Sequence, residues 1–232
     1  MKISLWSRLL DVVSPRRCAV CSTRLSITEC DICATCNMHL PRTGYQTSPY
    51  DNVMAKLFWG QIPIERAAAL FYYEAHSETS RIIYGLKYRG HPEIGVSMGR
   101  MAAGEFMTAG FFDGIDMIIP LPLARKRMRE RGYNQSEAVA KGVSEIAGIP
   151  INTRVVKRMR FNGSQTSLSR WGRLDNVENM FKLIDGNGIE GKHILLVDDI
   201  VTTGATIIAC AKTMVQVKGL KLSVMTLGFT KS

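Results

Sequence analysis

Residues 193–206 read HILLVDDIVTTGAT. Ile194 to Val197 are four consecutive apolar residues, the pattern of a strand buried on both faces of a parallel sheet. Asp198 and Asp199 stand at its end, and Thr202, Thr203, Gly204, Ala205 and Thr206 turn into a helix predicted over 205–217. The unsatisfied N–H groups and the hydroxyls at such a helix N-terminus suit a phosphate, and Gly204 permits close approach of the backbone. Two adjacent carboxylates suit a vicinal diol such as that of a ribose, so the segment reads as a ribose 5-phosphate cradle. As ordinary solvated acids they would only repel each other.

Outward from this segment, strands are predicted at 66–73 (RAAALFYY), 117–122, 182–184 and 222–229, and helices at 78–88, 93–109 and 137–147. The alternation predicts an α/β fold with a mostly parallel sheet flanked by helices. In that architecture chemistry belongs to the loops after the strands. The α/β domain is expected over 46–232, with a connector at 46–65. Residues 1–45 form a separate unit: an amphipathic helix over 3–13, carrying Trp6, Leu9, Leu10 and Val13 and stopped by Ser14-Pro15, then a cysteine-rich module.

Five of the six cysteines fall within residues 18–36. Cys18, Cys21, Cys33 and Cys36 give C-x2-C, eleven residues, C-x2-C, the spacing of a small tetrahedral zinc module. Four thiolates leave no open coordination position, so the zinc is expected to be structural. Cys30 makes C-x2-C with Cys33, and spacing alone leaves it open as a ligand. Redox reactivity is the rival reading of the cluster.

The chain carries 30 basic and 20 acidic residues, and residues 117–174 hold 12 of the basic residues against 3 acidic ones. Nine of the ten net charges therefore lie in one block, which points to a polyanionic ligand. Arg125, Lys126, Arg127, Arg129 and Arg131 crowd the segment after the 117–122 strand, where guanidinium groups would clamp pyrophosphate oxygens as a loop. A solvated basic helix face is the other reading. Residues 158–181, with Arg158, Arg160, Arg170 and Arg173, read as a flap over the site. With 46% hydrophobic and 22% charged residues the composition excludes wholesale disorder. No apolar run approaches the roughly 20 residues of a membrane span, and no secretory leader is recognised, so a cytoplasmic protein without membrane insertion is expected.

The VDDIVTTGAT stretch at 197–206 resembles the phosphoribosyl pyrophosphate fingerprint of the type I phosphoribosyltransferases. With the four cysteines, LKYRG at 86–90, PLPL with RxRGYNQ at 120–135 and SQTSLSR at 164–170, nearly the whole chain resembles the ComF family of competence-associated, phosphoribosyltransferase-like proteins. The resemblance implies that Asp198 and Asp199 hold the ribose hydroxyls and serve any catalysis, and that residues 202–206 bind the 5-phosphate. It implies magnesium on the pyrophosphate. It places Leu123, Arg125, Arg127, Arg131, Gly132, Asn134 and Gln135 in the pyrophosphate loop. Arg158, Gln165, Thr166 and the other flap arginines go to a flexible loop that also meets nucleic acid.

Two functions follow. One is a module that binds phosphoribosyl pyrophosphate and single-stranded DNA during natural competence, with a protein of the competence machinery as a further partner. The other is an active phosphoribosyltransferase with a nucleobase or amine acceptor.

Overall fold

The computed structural model describes residues 15–77, 79–88, 90–159 and 180–230. The expected helix over 3–13 and most of the flap, including Arg160, Gln165, Thr166, Arg170 and Arg173, lie outside these residues.

Two short helices, α1 (Ala34–Met38) and α2 (Val53–Lys56), precede strand β1 (Arg66–Tyr73). Then come α3 (Ser80–Tyr88), α4 (Pro92–Met107), β2 (Met117–Pro120), α5 (Arg125–Arg131) and α6 (Gln135–Ala147). A short ribbon of β3 (Val156–Arg158) and β4 (Phe181–Leu183) leads into β5 (His193–Val201), α7 (Ala205–Lys212) and β6 (Lys221–Thr230). Strands β1, β6, β5 and β2 form, in that order, a sheet whose neighbours are all parallel, while β3 and β4 pair antiparallel. The expected mostly parallel α/β sheet with flanking helices is therefore present.

Apolar content explains the order of the strands. Ile194 to Val197 of β5 and Val224 to Leu227 of β6 are fully or almost fully buried, as central parallel strands must be. Helices α4 and α6 pack with their backbones nearly touching. A Cβ on Gly99 would lie 2.2 Å from the Val139 carbonyl oxygen, and one on Gly142 would lie 2.0 Å from that of Val96. This approach seats α6 beneath the ends of β2 and β5, where the candidate site lies.

Several elements differ from the sequence-based expectation, among them the unexpected strand β3 at Val156–Arg158. Strand β5 does not stop at Val197 but runs to Val201, because the long neighbour β6 continues the ladder with Asp198 opposite Thr226 and Ile200 opposite Gly228. The basic segment expected as a loop is helix α5, closed by Gly132 in the left-handed conformation at φ 78°. Helix α7 ends at Lys212 rather than 217.

The described part of the cysteine-rich segment packs on the body. Cys18, Val20, Leu25 and Ile32 belong to the same buried cluster as the sheet. Arg81 donates to the Val20 carbonyl at 2.7 Å, and Arg42 joins Glu105 of α4 at 2.8 Å while also donating to Asn37. No helix among the described residues is long and apolar enough to cross a membrane.

Candidate functional site

The site grows from the C-terminal end of β5. Asp199 is only 7% exposed, and its Oδ2 lies 3.2 Å from Nζ of Lys87 in the last turn of α3. A carboxylate so far from water needs a partner, and the lysine supplies it. Asp198 is held differently: its Oδ1 accepts from the Ser136 hydroxyl at 2.8 Å and from the Asp199 N–H at 2.8 Å. Burial, and next the neighbouring Asp199 charge, push the Asp198 carboxyl up from 3.8 to about 7, against the pull of Ser136, the Asp199 N–H and Lys87. With Oδ1 engaged twice, Oδ2 is the oxygen left to meet a ligand.

Beyond the acids the chain passes exposed Thr202 and Thr203, turns at buried Gly204, and enters α7 with exposed Ala205 and half-buried Thr206. Gly204 stands at φ 74°, and a Cβ there would lie 3.1 Å from the Phe58 ring. The left-handed backbone favours glycine, and any larger residue would also have to push the Phe58 ring back by a few tenths of an ångström. The N-cap Gly204 has no side chain to cap α7, the Thr203 hydroxyl accepts from the Ala205 N–H at 3.5 Å, and the N–H groups of such a first turn suit an anion.

The end of β2 brings the second group of residues to the same sheet edge. Asn134 donates to the Leu121 carbonyl at 3.0 Å and accepts from the Ser136 N–H at 3.1 Å, capping α6. Asn134 and Gln135 are thereby buried, and Gln135 accepts from Arg131 at 2.8 Å. Leu123 is half-buried in the link to α5, while Arg125, Lys126, Arg127 and Arg129 are exposed. Arg158, at the end of β3, is half-buried and stacks on Phe181, with the guanidinium 5.2 Å from the ring centroid. Burial, and then the nearby Arg127 charge, lower its pKa, while Asp198 and Cys210 oppose that shift. Arg158 of the flap thus has both Arg127 of the basic segment and Asp198 of the cradle as electrostatic neighbours. Among the described residues neither arginine forms an ion pair.

Lys87 and Ser136 are the site residues that sequence reasoning missed. A lysine in the last turn of a helix such as α3 is ordinarily just favourable to the helix dipole, and its pairing with Asp199 depends on tertiary placement. A serine two positions after an N-cap asparagine carried no signal of its own.

The sulfurs of Cys18, Cys21, Cys33 and Cys36 all lie within 4.8 Å of one another, with Cys21 and Cys33 at 3.7 Å. Ligands about 2.3 Å from a tetrahedral centre stand about 3.8 Å apart, so this donor set fits a metal ion. Backbone N–H groups of Cys33 and Cys36 point at the Cys18 and Cys33 sulfurs at 3.3 and 3.4 Å. Cys30 is exposed and outside this four-sulfur group.

No protein-family model matches the chain. It is 30% identical over 202 residues to the DNA utilization protein YhgH of Shigella flexneri, covering 86% of this chain and 84% of that protein. It is 37% identical over 93 residues to competence protein F of Haemophilus influenzae, 40% of this chain and 41% of that one. It is 27% identical over 146 residues to competence protein ComFC of Bacillus subtilis, 63% of this chain and 57% of that one. Among solved structures, a purine phosphoribosyltransferase from Pyrococcus horikoshii overlaps 59% of this chain and 84% of that one, at 14% identity and a TM-score of 0.35.

Proposed function

The chain belongs to the ComF family, and from that membership we propose that it binds phosphoribosyl pyrophosphate at the end of β5 and single-stranded DNA on the adjoining basic face, in the handling of incoming DNA. The observation that carries the reading is the pairing of two acids, one neutralised by Lys87, with the N-terminus of α7 five residues on, where the N-cap is Gly204 and brings no side-chain cap.

In this reading Asp198 Oδ2 and the Asp199 carboxylate accept from the two ribose hydroxyls. The N–H groups around Gly204, with the hydroxyls of Thr202, Thr203 and Thr206, hold the 5-phosphate. Arg127 and Arg158 face the pyrophosphate, whose charge relieves their mutual repulsion. Asn134 and Gln135, buried as they are, orient the segment between β2 and α6 rather than reach the ligand. Magnesium bound with the pyrophosphate would supply further charge neutralisation. The four cysteines hold structural zinc, which folds the N-terminal module against α3 and α4. The names of the relatives support involvement with DNA, and the exposed cations of α5 supply the surface for it.

Titration of the purified protein with phosphoribosyl pyrophosphate and magnesium, followed by a single-stranded oligonucleotide over a salt series, tests both halves. Saturable binding of the small ligand and a salt-sensitive oligonucleotide affinity are expected. Absence of either removes that half of the proposal. Pyrophosphate release on adding a base or amine would move the protein to the transferase class.

A further inference from the structure

A chain of three hydrogen bonds runs from the end of β2, through the turn into α6, to the acids on β5. Asn134 donates to the Leu121 carbonyl at 3.0 Å and accepts from the Ser136 N–H at 3.1 Å. The Ser136 hydroxyl in turn donates to Oδ1 of Asp198 at 2.8 Å. Ser136 is only 4% exposed, so little water competes for this contact. A serine in the first turn of a helix ordinarily bonds to backbone close by in sequence. This one reaches a different element of the sheet instead.

The contact fixes where a proton on Asp198 can sit. Oδ1 also accepts from the Asp199 N–H at 2.8 Å, and a backbone N–H can only donate. Two donors occupy the lone pairs of Oδ1, so a proton on this carboxyl sits on Oδ2. Burial, and next the Asp199 charge, raise the group from 3.8 to about 7, so the proton is present over part of the neutral range. The charged and titratable groups facing Asp198 are Asp199 beside it on β5, Lys87 from α3, Arg158 from β3 and Cys210 from α7. Thr226, opposite Asp198 in β6, spends its hydroxyl on the Gly228 carbonyl at 2.9 Å. Among the described residues Ser136 is thus the one neutral side chain that donates to Asp198.

We propose that Ser136 is a positioning residue of the ribose site: by holding Oδ1 it fixes the plane of the Asp198 carboxyl, turns Oδ2 toward the ligand, and couples diol binding to loss of the proton on Oδ2. The inference deepens the phosphoribosyl pyrophosphate half of the function proposed above and rests on it. A ribose hydroxyl donates well to the ionised oxygen, whereas a protonated Oδ2 is itself a donor. The proton leaves to solvent as the hydroxyl docks, and no bond of the ligand breaks. Ser136 favours the ionised form, because a donor binds a carboxylate more strongly than the neutral acid. Asp199 has its own cation in Lys87 at 3.2 Å, so the two acids are prepared by different means, one by a charge and one by a neutral donor. Buried as it is, Ser136 acts through Asp198 rather than on the ligand.

The test uses the full-length wild type, Ser136→Ala and Ser136→Thr, with Asp198→Asn to assign the Asp198 signal. In isotope-labelled, ligand-free protein the Asp198 carboxyl carbon, followed by NMR, should titrate at about 7. Ser136→Ala should move that midpoint up by about one pH unit, since a donor to the charged form is lost. Ser136→Thr, which keeps the hydroxyl, should leave it in place. Calorimetry with phosphoribosyl pyrophosphate and magnesium should then show Ser136→Ala binding about fivefold more weakly at pH 7, the effect of a one-unit shift on the ionised fraction, with the gap narrowing toward pH 9. The Asp198→Asn profile supplies the ligand's own titration, which is subtracted. An unmoved carbon midpoint in folded Ser136→Ala protein overturns the role of Ser136, whatever the ligand does. A moved midpoint with equal affinities at every pH overturns the coupling to the diol while leaving the ligand reading intact. A moved midpoint in a protein whose wild type does not bind phosphoribosyl pyrophosphate overturns the ligand reading and, with it, the coupling.

Discussion

The Lys87 ammonium lies 3.2 Å from Oδ2 of Asp199, joining the last turn of α3 to the end of β5. Through this contact a residue that looked like a helix-end charge becomes the counter-ion of a buried acid. Removing it leaves the Asp199 carboxylate with little water to replace the lysine. Lys87→Met is expected to lower unfolding free energy by about 1–3 kcal/mol, below the range for a fully buried pair because the lysine side chain is partly exposed. Asp199→Asn in the same background should recover part of that loss. Urea denaturation of the four proteins in this cycle measures the coupling, and additive effects would show the pair to be energetically idle.

Asp198 makes a prediction about pH. Its carboxyl titrates at about 7 in the folded protein against 3.8 when unperturbed. A folded-state value raised in this way favours folding at low pH, and that contribution is lost as pH rises from about 4 through about 7. Asp198→Asn has no such loss. Its stability relative to the wild type should therefore climb between pH 4 and 7, by up to about 1.4 kcal/mol per pH unit, and level off above. A difference independent of pH, measured by denaturant melts at unit intervals, would contradict the burial of this group.

Gly204 combines a φ of 74° with a Cβ position 3.1 Å from Phe58. Gly204→Ala should cost about 1–2 kcal/mol from the left-handed backbone alone, and should weaken anion binding at the start of α7 by more than its effect on stability explains. Thermal melts paired with phosphate-competition binding separate the two effects. Unchanged anion affinity would remove the turn from the site.

Cys33→Ser should abolish stoichiometric zinc and raise amide exchange across residues 16–40. The central strands β5 and β6 should stay protected, because they pack on one another and against α4 and α6. Elemental analysis and hydrogen exchange read these two outcomes. Wild-type protein lacking zinc after purification without chelators would refute the metal assignment.

The strands at 66–73, 193–197 and 222–229 were legible because unbroken apolar runs have few alternatives in a chain of this composition. The cradle was legible because acids, threonines and glycine are contiguous. What escaped was tertiary in origin. The extension of β5 through Asp198 to Val201 depends on ten residues of β6 lying alongside, which no local propensity encodes. Helix α5 has Met128 as its one apolar residue, so its pattern carries no helical periodicity, and it is held by Gly132 and by its anchoring beside α6. Lys87 became visible only when α3 was placed against the end of β5, and Ser136 only when α6 was.

The central claim is that the end of β5 binds phosphoribosyl pyrophosphate through Asp198 and Asp199. Calorimetric titration of the wild type and of the Asp198→Asn/Asp199→Asn variant, with magnesium present, tests it most directly. The account predicts one site per chain in the wild type and at least about tenfold weaker binding, a difference of about 1.4 kcal/mol, in a variant that remains folded. Equal affinities in the two proteins, or no binding to the wild type, would contradict it.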